Sequence, residues 1–242
     1  MIKAALNGGR TRAEHPGIPI TPEEVATAAK ESVAAGAGAI HFHVRATNGR
    51  ESLDPGDVAR ALTAVRSAVP GTPVGVSTGA WILQNAPFRQ ATISRWTVLP
   101  DFASVNFKEE GALPLAELLL SRGVGVEAGL SDVSGTQVFV SSGLASRCFR
   151  MLLEPFESST PAALKTLEQI EALLDAAGVK LPRVLHGLNQ TAWDLIDTAS
   201  ARGYDTRVGF EDILTLPDGT SASGNGALVA ETLRRMRRSA SR

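Results

Sequence analysis

The chain has 242 residues, a formal net charge of −1 at pH 7 and 43% hydrophobic residues. This length and composition supply enough apolar side chains for one large core, so we expect a single domain over residues 1–242. The balanced charge argues against a nucleic-acid surface, and the single cysteine, Cys148, excludes an intramolecular disulfide bond.

The sequence also lacks the patterns of membrane and secreted proteins. No segment approaches the roughly 18 consecutive apolar residues of a membrane-spanning helix. Met1 leads almost directly into the first apolar segment, with no signal-peptide pattern before it. We therefore expect a cytoplasmic protein without a membrane partner.

Short apolar segments alternate with amphipathic segments along the chain. Apolar runs bounded by turn residues predict strands at 2–6, 39–45, 73–76, 102–106, 125–127, 149–153, 183–186 and 206–209. Each strand is followed by a predicted helix, at 22–36, 55–69, 85–98, 113–121, 132–142, 160–177, 191–202 and 225–238. Thr21, Asp54 and Thr160 are the predicted N-caps of three of these helices.

Eight strands alternating with eight helices indicate parallel pairing and a closed (β/α)8 barrel, the TIM barrel class of α/β folds. The alternative is an open doubly wound sheet. That alternative is disfavoured because no Gly-x-Gly-x-x-Gly motif follows the first strand.

Two histidines lie on the second predicted strand. His41 and His43 are two residues apart, so their side chains share one face of the strand, roughly 7 Å apart, and can hold one metal ion. Only four histidines occur in the chain, which makes this spacing informative. The alternative is a pair of buried histidines satisfied by hydrogen bonds alone.

The carboxyl ends of the other predicted strands also carry many polar side chains. In a barrel, these ends form the face where functional groups meet. Besides the two histidines, the ends and their loops supply Asn7, Glu14, Arg45, Ser77, Thr78, Asn106, Glu127, Glu154, His186, Arg207, Glu211 and Asp212. Groups that bind metals or anions dominate this set, which predicts an active site on this face.

Glu211 is the best candidate for a third metal ligand. Barrel closure brings the eighth strand beside the first and near the second, whereas Glu127 and Glu154 follow strands across the barrel. Two histidines and one carboxylate leave an open coordination position, as in catalytic zinc sites. The alternative for Glu211 and Asp212 is an acidic pair that caps a helix.

Several motifs in this order resemble one family, the β-keto acid cleavage enzymes. They span nearly the whole chain and comprise NGGRT at 7–11 with EHP at 14–16, PITPEE at 19–24, GAGAIHFHVR at 36–45, STG at 77–79, ASVNF at 103–107 and RVGFED at 207–212. The resemblance implies a zinc-dependent barrel that condenses a β-keto acid with acetyl-CoA, giving acetoacetate and a new acyl-CoA. It also implies a homo-oligomer, commonly a tetramer.

The resemblance further implies a role for each matching residue. It makes His41, His43 and Glu211 the zinc ligands. It gives catalytic roles to Asp212, Arg207, Glu14 and Ser77, and substrate contacts to Thr78, Asn106, Glu127 and Arg45. Asp212, or a residue linked through Arg207, is expected to remove the α-proton as general base. Glu127 falls about where some members bind a distal amino group of the substrate.

Other functions remain open on the residues alone. The first is a metal-dependent aldolase or hydrolase that works without CoA. Barrel hydrolases commonly carry His-x-His on the first strand and more histidines later, whereas here the pair is on the second strand and only His186 follows. The second is a non-catalytic metal- or ligand-binding barrel, which is disfavoured because Arg207 and Asp212 accompany the open metal position.

Overall fold

The computed structural model describes residues 1–240, and their side chains through Arg238. Its centre is a closed barrel of parallel strands, in which the last strand pairs with the first. The strands are β1 (Ile2–Ala5), β2 (Ala39–Phe42), β3 (Val74–Ser77), β4 (Phe102–Asn106), β5 (Gly125–Leu130), β6 (Arg150–Leu153), β7 (Arg183–Leu185) and β8 (Asp205–Val208).

A helix follows every strand. The helices are α1 (Pro22–Ala34), α2 (Pro55–Ala68), α3 (Ala86–Ser94), α4 (Ala112–Ser121), α5 (Val133–Ser141), α6 (Thr160–Ala176), α7 (Ala192–Ala201) and α8 (Asn225–Ala240). The predicted (β/α)8 fold is therefore confirmed. Within residues 1–240, no helix has the length and apolar character needed to cross a membrane.

Two of the three predicted N-caps are confirmed. The Thr21 hydroxyl accepts a hydrogen bond from the Glu24 N–H, and the Glu24 carboxylate accepts one from the Thr21 N–H, which forms a capping box at α1. Asp54 caps α2 by accepting from the Gly56 N–H. Thr160 is instead the first residue of α6, preceded by Ser159, whose side chain makes no capping bond.

Strand β2 ends at Phe42, three residues earlier than predicted, and Asn7 explains why. The Asn7 carboxamide accepts from the His43 N–H at 2.8 Å and donates to the His43 carbonyl at 3.0 Å. A side chain thus replaces the neighbouring strand as the partner of this backbone. His43 therefore lies outside the paired part of β2, and the Asn7 side chain holds its backbone at the end of β1.

The register of β1 brings the histidines and the RVGFED segment together. Ala5 pairs with His41 on one side of β1, and Ala4 pairs with Val208 on the other. Gly209 follows directly, and a Cβ atom there would lie 2.0 Å from the Ala5 carbonyl oxygen. Only glycine permits this approach, which carries the residues after β8 over the end of β1 toward His41.

Candidate metal centre and active site

Three side chains converge at the carboxyl ends of β2 and β8. The Nε2 atom of His41 lies 3.6 Å from Glu211 Oε2, and the Nε2 atom of His43 lies 3.3 Å from Glu211 Oε1. One ligand atom from each residue falls within 4.8 Å of the others. The structure therefore brings the three predicted metal ligands together.

The donor set fits a divalent metal ion. Both histidines are almost fully buried, and Glu211 Oε2 is buried without a hydrogen-bond partner among the described residues. A buried carboxylate oxygen facing imidazole nitrogens needs a cation or donor to offset its desolvation. Two imidazoles and one carboxylate are also a ligand set that zinc accepts in catalytic sites.

A second layer of side chains orients His43. Its Nδ1 atom lies 2.5 Å from Glu51 Oε1, which directs Nε2 toward Glu211. Trp81 donates its Nε1–H to Glu51 and stacks on the His43 ring at a centroid distance of 5.9 Å. Sequence analysis missed Glu51 and Trp81, because both lie on loops whose path no motif indicates.

The carboxylates around His43 control its charge when no metal is bound. Burial disfavours the charged imidazole, but Glu211 and Glu51 outweigh this effect and raise the His43 pKa to about 9. Burial likewise works to raise the pKa of Glu211, but Arg207 and the two histidines hold it well below its usual range. The Glu211 carboxylate is therefore ionised, as a metal ligand must be.

Arg207 and Asp212 form a buried ion pair beside this cluster. Arg207 donates from Nε to both Asp212 oxygens, at 3.2 and 3.1 Å, and from Nη2 to Asp212 Oδ1 at 2.6 Å. The same Nη2 atom donates to Glu211 Oε1 at 2.7 Å. Burial raises the pKa of Asp212 to about 6, although the pairing with Arg207 works in the opposite direction.

A cavity of about 570 Å³ opens over the cluster at the carboxyl ends of the strands. The three metal-ligand candidates line it together with Ser77, Asn106 and Arg207, all of them predicted site residues. The wall also includes side chains that sequence analysis did not assign to the site, among them Glu51, Trp81, Glu109, Leu152, Phe156 and Leu188.

Two predicted site residues hold loops rather than line this cavity. Thr78 donates to the Ser104 carbonyl at 2.7 Å. Arg45 donates to the carbonyls of Gly8 and Arg10, and so ties the loop after β1 to the loop after β2. Thr78 and Arg45 thus support the backbone around the cavity in this structure, and their contacts with substrate stay predictions.

Glu14, predicted to be catalytic, also lies outside the cavity lining. Its side chain is 43% exposed and accepts a hydrogen bond from Arg10 at 3.1 Å. Arg10 in turn donates to the Glu211 carbonyl at 3.2 Å and to the Asn189 side chain at 2.6 Å. Among the described residues, Glu14 reaches the cluster only through Arg10.

Glu127 lies inside the barrel, and not at the end of a strand as the sequence predicts. Strand β5 continues to Leu130, three residues beyond its predicted end, so Glu127 lies in the middle of the strand. Its carboxylate is fully buried and pairs with Lys3 and with Arg150 Nε, the latter at 2.5 Å. These cations overcome the effect of burial and lower the Glu127 pKa to about 2.

This ion cluster leads to a prediction about stability. Glu127→Gln is expected to lower the free energy of unfolding by about 3–5 kcal/mol, because it leaves the buried cations of Lys3 and Arg150 without their counterion. Urea denaturation measures the change. The exposed variant Glu117→Gln is the control, with an expected effect within about 0.5 kcal/mol. Equal stability of the two variants would contradict the prediction.

Glu154 and His186 lie on the cavity wall and face each other. His186 follows β7 and Glu154 follows β6, and His186 Nε2 lies 3.4 Å from Glu154 Oε2. On its other side, His186 Nδ1 lies 3.5 Å from Asp212 Oδ1. Sequence analysis treated Glu154 as a weaker metal-ligand candidate and His186 as a strand-end residue, so it missed this pairing.

The whole chain is similar to known proteins. It matches the family model of the β-keto acid cleavage enzymes over residues 1–242. It is 23% identical to a 3-keto-5-aminohexanoate cleavage enzyme of Acetoanaerobium sticklandii, over 97% of this chain and 90% of that protein. It is 35% identical to a 3-oxoadipate:acetyl-CoA acetyltransferase of Cupriavidus necator, over 33% of this chain and 28% of that protein.

A solved structure shares the fold. The apo structure of ObcA superposes with a TM-score of 0.74 at 18% identity, over 90% of this chain. The chain spans 61% of that longer protein, so this likeness concerns the barrel alone. The family match, in contrast, covers every residue of the sequence. The chain belongs to the β-keto acid cleavage enzyme family.

Proposed function

We propose that this protein condenses a β-keto acid with acetyl-CoA and releases acetoacetate and a new acyl-CoA, with one zinc ion per chain. The observation that carries the proposal is the convergence of His41, His43 and Glu211 beside Arg207, on the wall of one cavity, in a member of this family. The acetyl-CoA acetyltransferase name of one relative supports the choice of acyl donor.

His41, His43 and Glu211 are the residues that would hold the zinc ion. When bound there, the metal supplies Lewis-acid stabilisation of the negative charge that develops on a keto oxygen. Glu51 keeps His43 in the orientation that this binding requires. Arg207 keeps the Glu211 carboxylate turned toward the histidines, because Nη2 donates to its Oε1 atom.

The other wall residues provide contacts for the substrate. Arg207 lines the cavity with a guanidinium group that can pair with a carboxylate, while Asp212 behind it fixes the orientation of that group. Ser77 adds a hydroxyl donor. Asn106, whose amide donates to Glu109 at 2.8 Å, offers its carboxamide as a further polar contact. These residues favour a small, negatively charged substrate.

The test measures metal content and product formation on the same purified protein. Each member of a panel of β-keto acids is incubated with and without acetyl-CoA, and acetoacetate is quantified. One zinc per chain and acetoacetate formation that requires acetyl-CoA are the expected results. Cleavage that proceeds without acetyl-CoA would replace the proposal with a metal-dependent aldolase or hydrolase. Protein that binds no metal would overturn the assignment of the three ligands.

A further inference from the structure

The proposed reaction needs a group that removes a proton from the α-carbon of the β-keto acid. The sequence predicts Asp212 for this role, but its side chain is almost fully buried and both of its oxygens accept from Arg207. It also lies behind Arg207 rather than on the cavity wall. A carboxylate that lines the cavity is better placed to accept this proton.

Glu154 is the carboxylate that best meets this requirement. It lines the cavity, and one of its oxygens, Oε2, lies 3.4 Å from His186 Nε2. Its other oxygen, Oε1, has no hydrogen-bond partner among the described residues. Glu51 and Glu109 also line the cavity, but Glu51 is bonded to His43 and Trp81, and Glu109 accepts from Asn106 and the Ala80 N–H.

The neighbouring strand β5 leaves room for the Glu154 carboxylate. Gly129 on β5 pairs with Leu152 on β6, two residues before Glu154. A Cβ atom at Gly129 would lie 2.8 Å from Glu154 Oε1 and 2.5 Å from Asn106 Oδ1. Any larger residue at this position would displace both groups. The glycine thus allows the Glu154 carboxylate to lie beside Asn106, a predicted substrate contact.

We propose that Glu154 is the catalytic acid–base residue of this site, and this assignment rests on the proposed function. The Glu154 carboxylate takes the α-proton, and the electron pair of the broken C–H bond stays on the substrate as an enolate. The α-carbon attacks the thioester carbonyl of acetyl-CoA, and CoA leaves as the thiolate. The thiolate then adds to the original keto carbon.

Collapse of that adduct completes the cycle. The bond between the keto carbon and the acetylated α-carbon breaks, which forms the new acyl-CoA and leaves its electron pair on the α-carbon. Glu154, now a carboxylic acid, returns its proton to that carbon, and acetoacetate is released. One proton is taken and one is returned, so no other acid or base is consumed.

The electrostatic surroundings of Glu154 agree with this role. Burial raises its pKa to about 8, although Arg207 and Lys3 work to lower it. A carboxyl group with a pKa near the operating pH can both accept and donate a proton efficiently. His186 beside it is neutral, because burial and the charge of Arg207 hold its pKa well below the usual value.

The test isolates the first proton transfer. A β-keto acid is incubated with the zinc-loaded enzyme in D₂O without acetyl-CoA, and deuterium uptake at the α-carbon is followed by NMR above the uncatalysed rate. Glu154→Gln is expected to slow this exchange about a hundredfold, as loss of a general base does. It should keep its zinc content and its KM, because Glu154 contacts none of the metal ligands.

Glu157→Gln is the matched control, since Glu157 lies three residues later, bonds to Thr166 and is outside the cavity lining. Wild-type exchange rates in Glu154→Gln would overturn the assignment, whereas the slow exchange confined to this variant supports it. If the wild-type enzyme exchanges the α-proton but forms no acetoacetate, and only Glu154→Gln slows the exchange, the proposed function fails and the role of Glu154 in the proton transfer stands. If the wild-type enzyme does neither, both fail.

Discussion

Replacing His41 with alanine is expected to abolish zinc binding at micromolar metal and to reduce acetoacetate formation at least about a thousandfold, since Lewis-acid stabilisation contributes several kcal/mol. The physical reason lies in the ligand set. His41 offers one of the three candidate ligand atoms, and alanine leaves only those of His43 and Glu211. Even the loss of a residue that merely orients a ligand lowers metal affinity about 10–100-fold.

The measurement combines metal analysis of the purified variant with the acetyl-CoA-dependent assay. His15→Ala is the matched control, because His15 lies on the loop after β1, bonds to Ser221 and does not line the cavity. Thermal unfolding of both variants shows whether the barrel is intact. A His41→Ala protein that retains one zinc per chain and full activity would contradict the assignment of this histidine as a ligand.

The fold could be predicted because its pattern is local and repeated. Eight apolar segments alternate with eight amphipathic ones, and this alternation alone indicates parallel pairing and barrel closure. Closure then correctly predicted that Glu211 would meet His41 and His43, because it is a consequence of strand order and needs no side-chain detail. The glycine at position 209, which allows the close approach, was not interpreted in advance.

The errors arose where depth within the barrel decides the role of a residue. The alternation of side chains along a strand shows which face a residue shares, but not how far it lies from the end. Glu127 was read as a strand-end residue because β5 was predicted three residues too short. Its partners Lys3 and Arg150 come from distant strands, and nothing in their local sequence indicates that they meet.

Contacts between polar side chains on the cavity wall were equally hard to predict from the sequence. Glu154 and His186 are 32 positions apart, and their contact depends on the relative height of β6 and β7. Glu51 meets His43 through a loop that turns back on β2. A motif and the topology together therefore predicted that the three candidate metal ligands would meet. They did not predict the side chains that orient these residues.

Arg207→Lys is expected to lower kcat/KM about a thousandfold, the upper range for loss of one preorganised charge-stabilising donor. Arginine donates to Asp212 and Glu211 at once, from a planar group with fixed geometry. Lysine keeps the positive charge, but its single ammonium cannot reproduce that geometry or pair bidentately with a substrate carboxylate. Because the charge remains, the change should affect activity far more than folding.

Arg183→Lys provides the comparison. Arg183 begins β7 at the opposite end of the barrel, where it donates to Asp175 and to the Tyr204 hydroxyl. Steady-state kinetics and urea unfolding of both variants separate catalysis from stability. Equal activity of the two variants would show that Arg207 acts only as a buried counterion. A large loss confined to Arg207→Lys would show that the reaction depends on the geometry of the guanidinium, as the proposed binding of a substrate carboxylate requires.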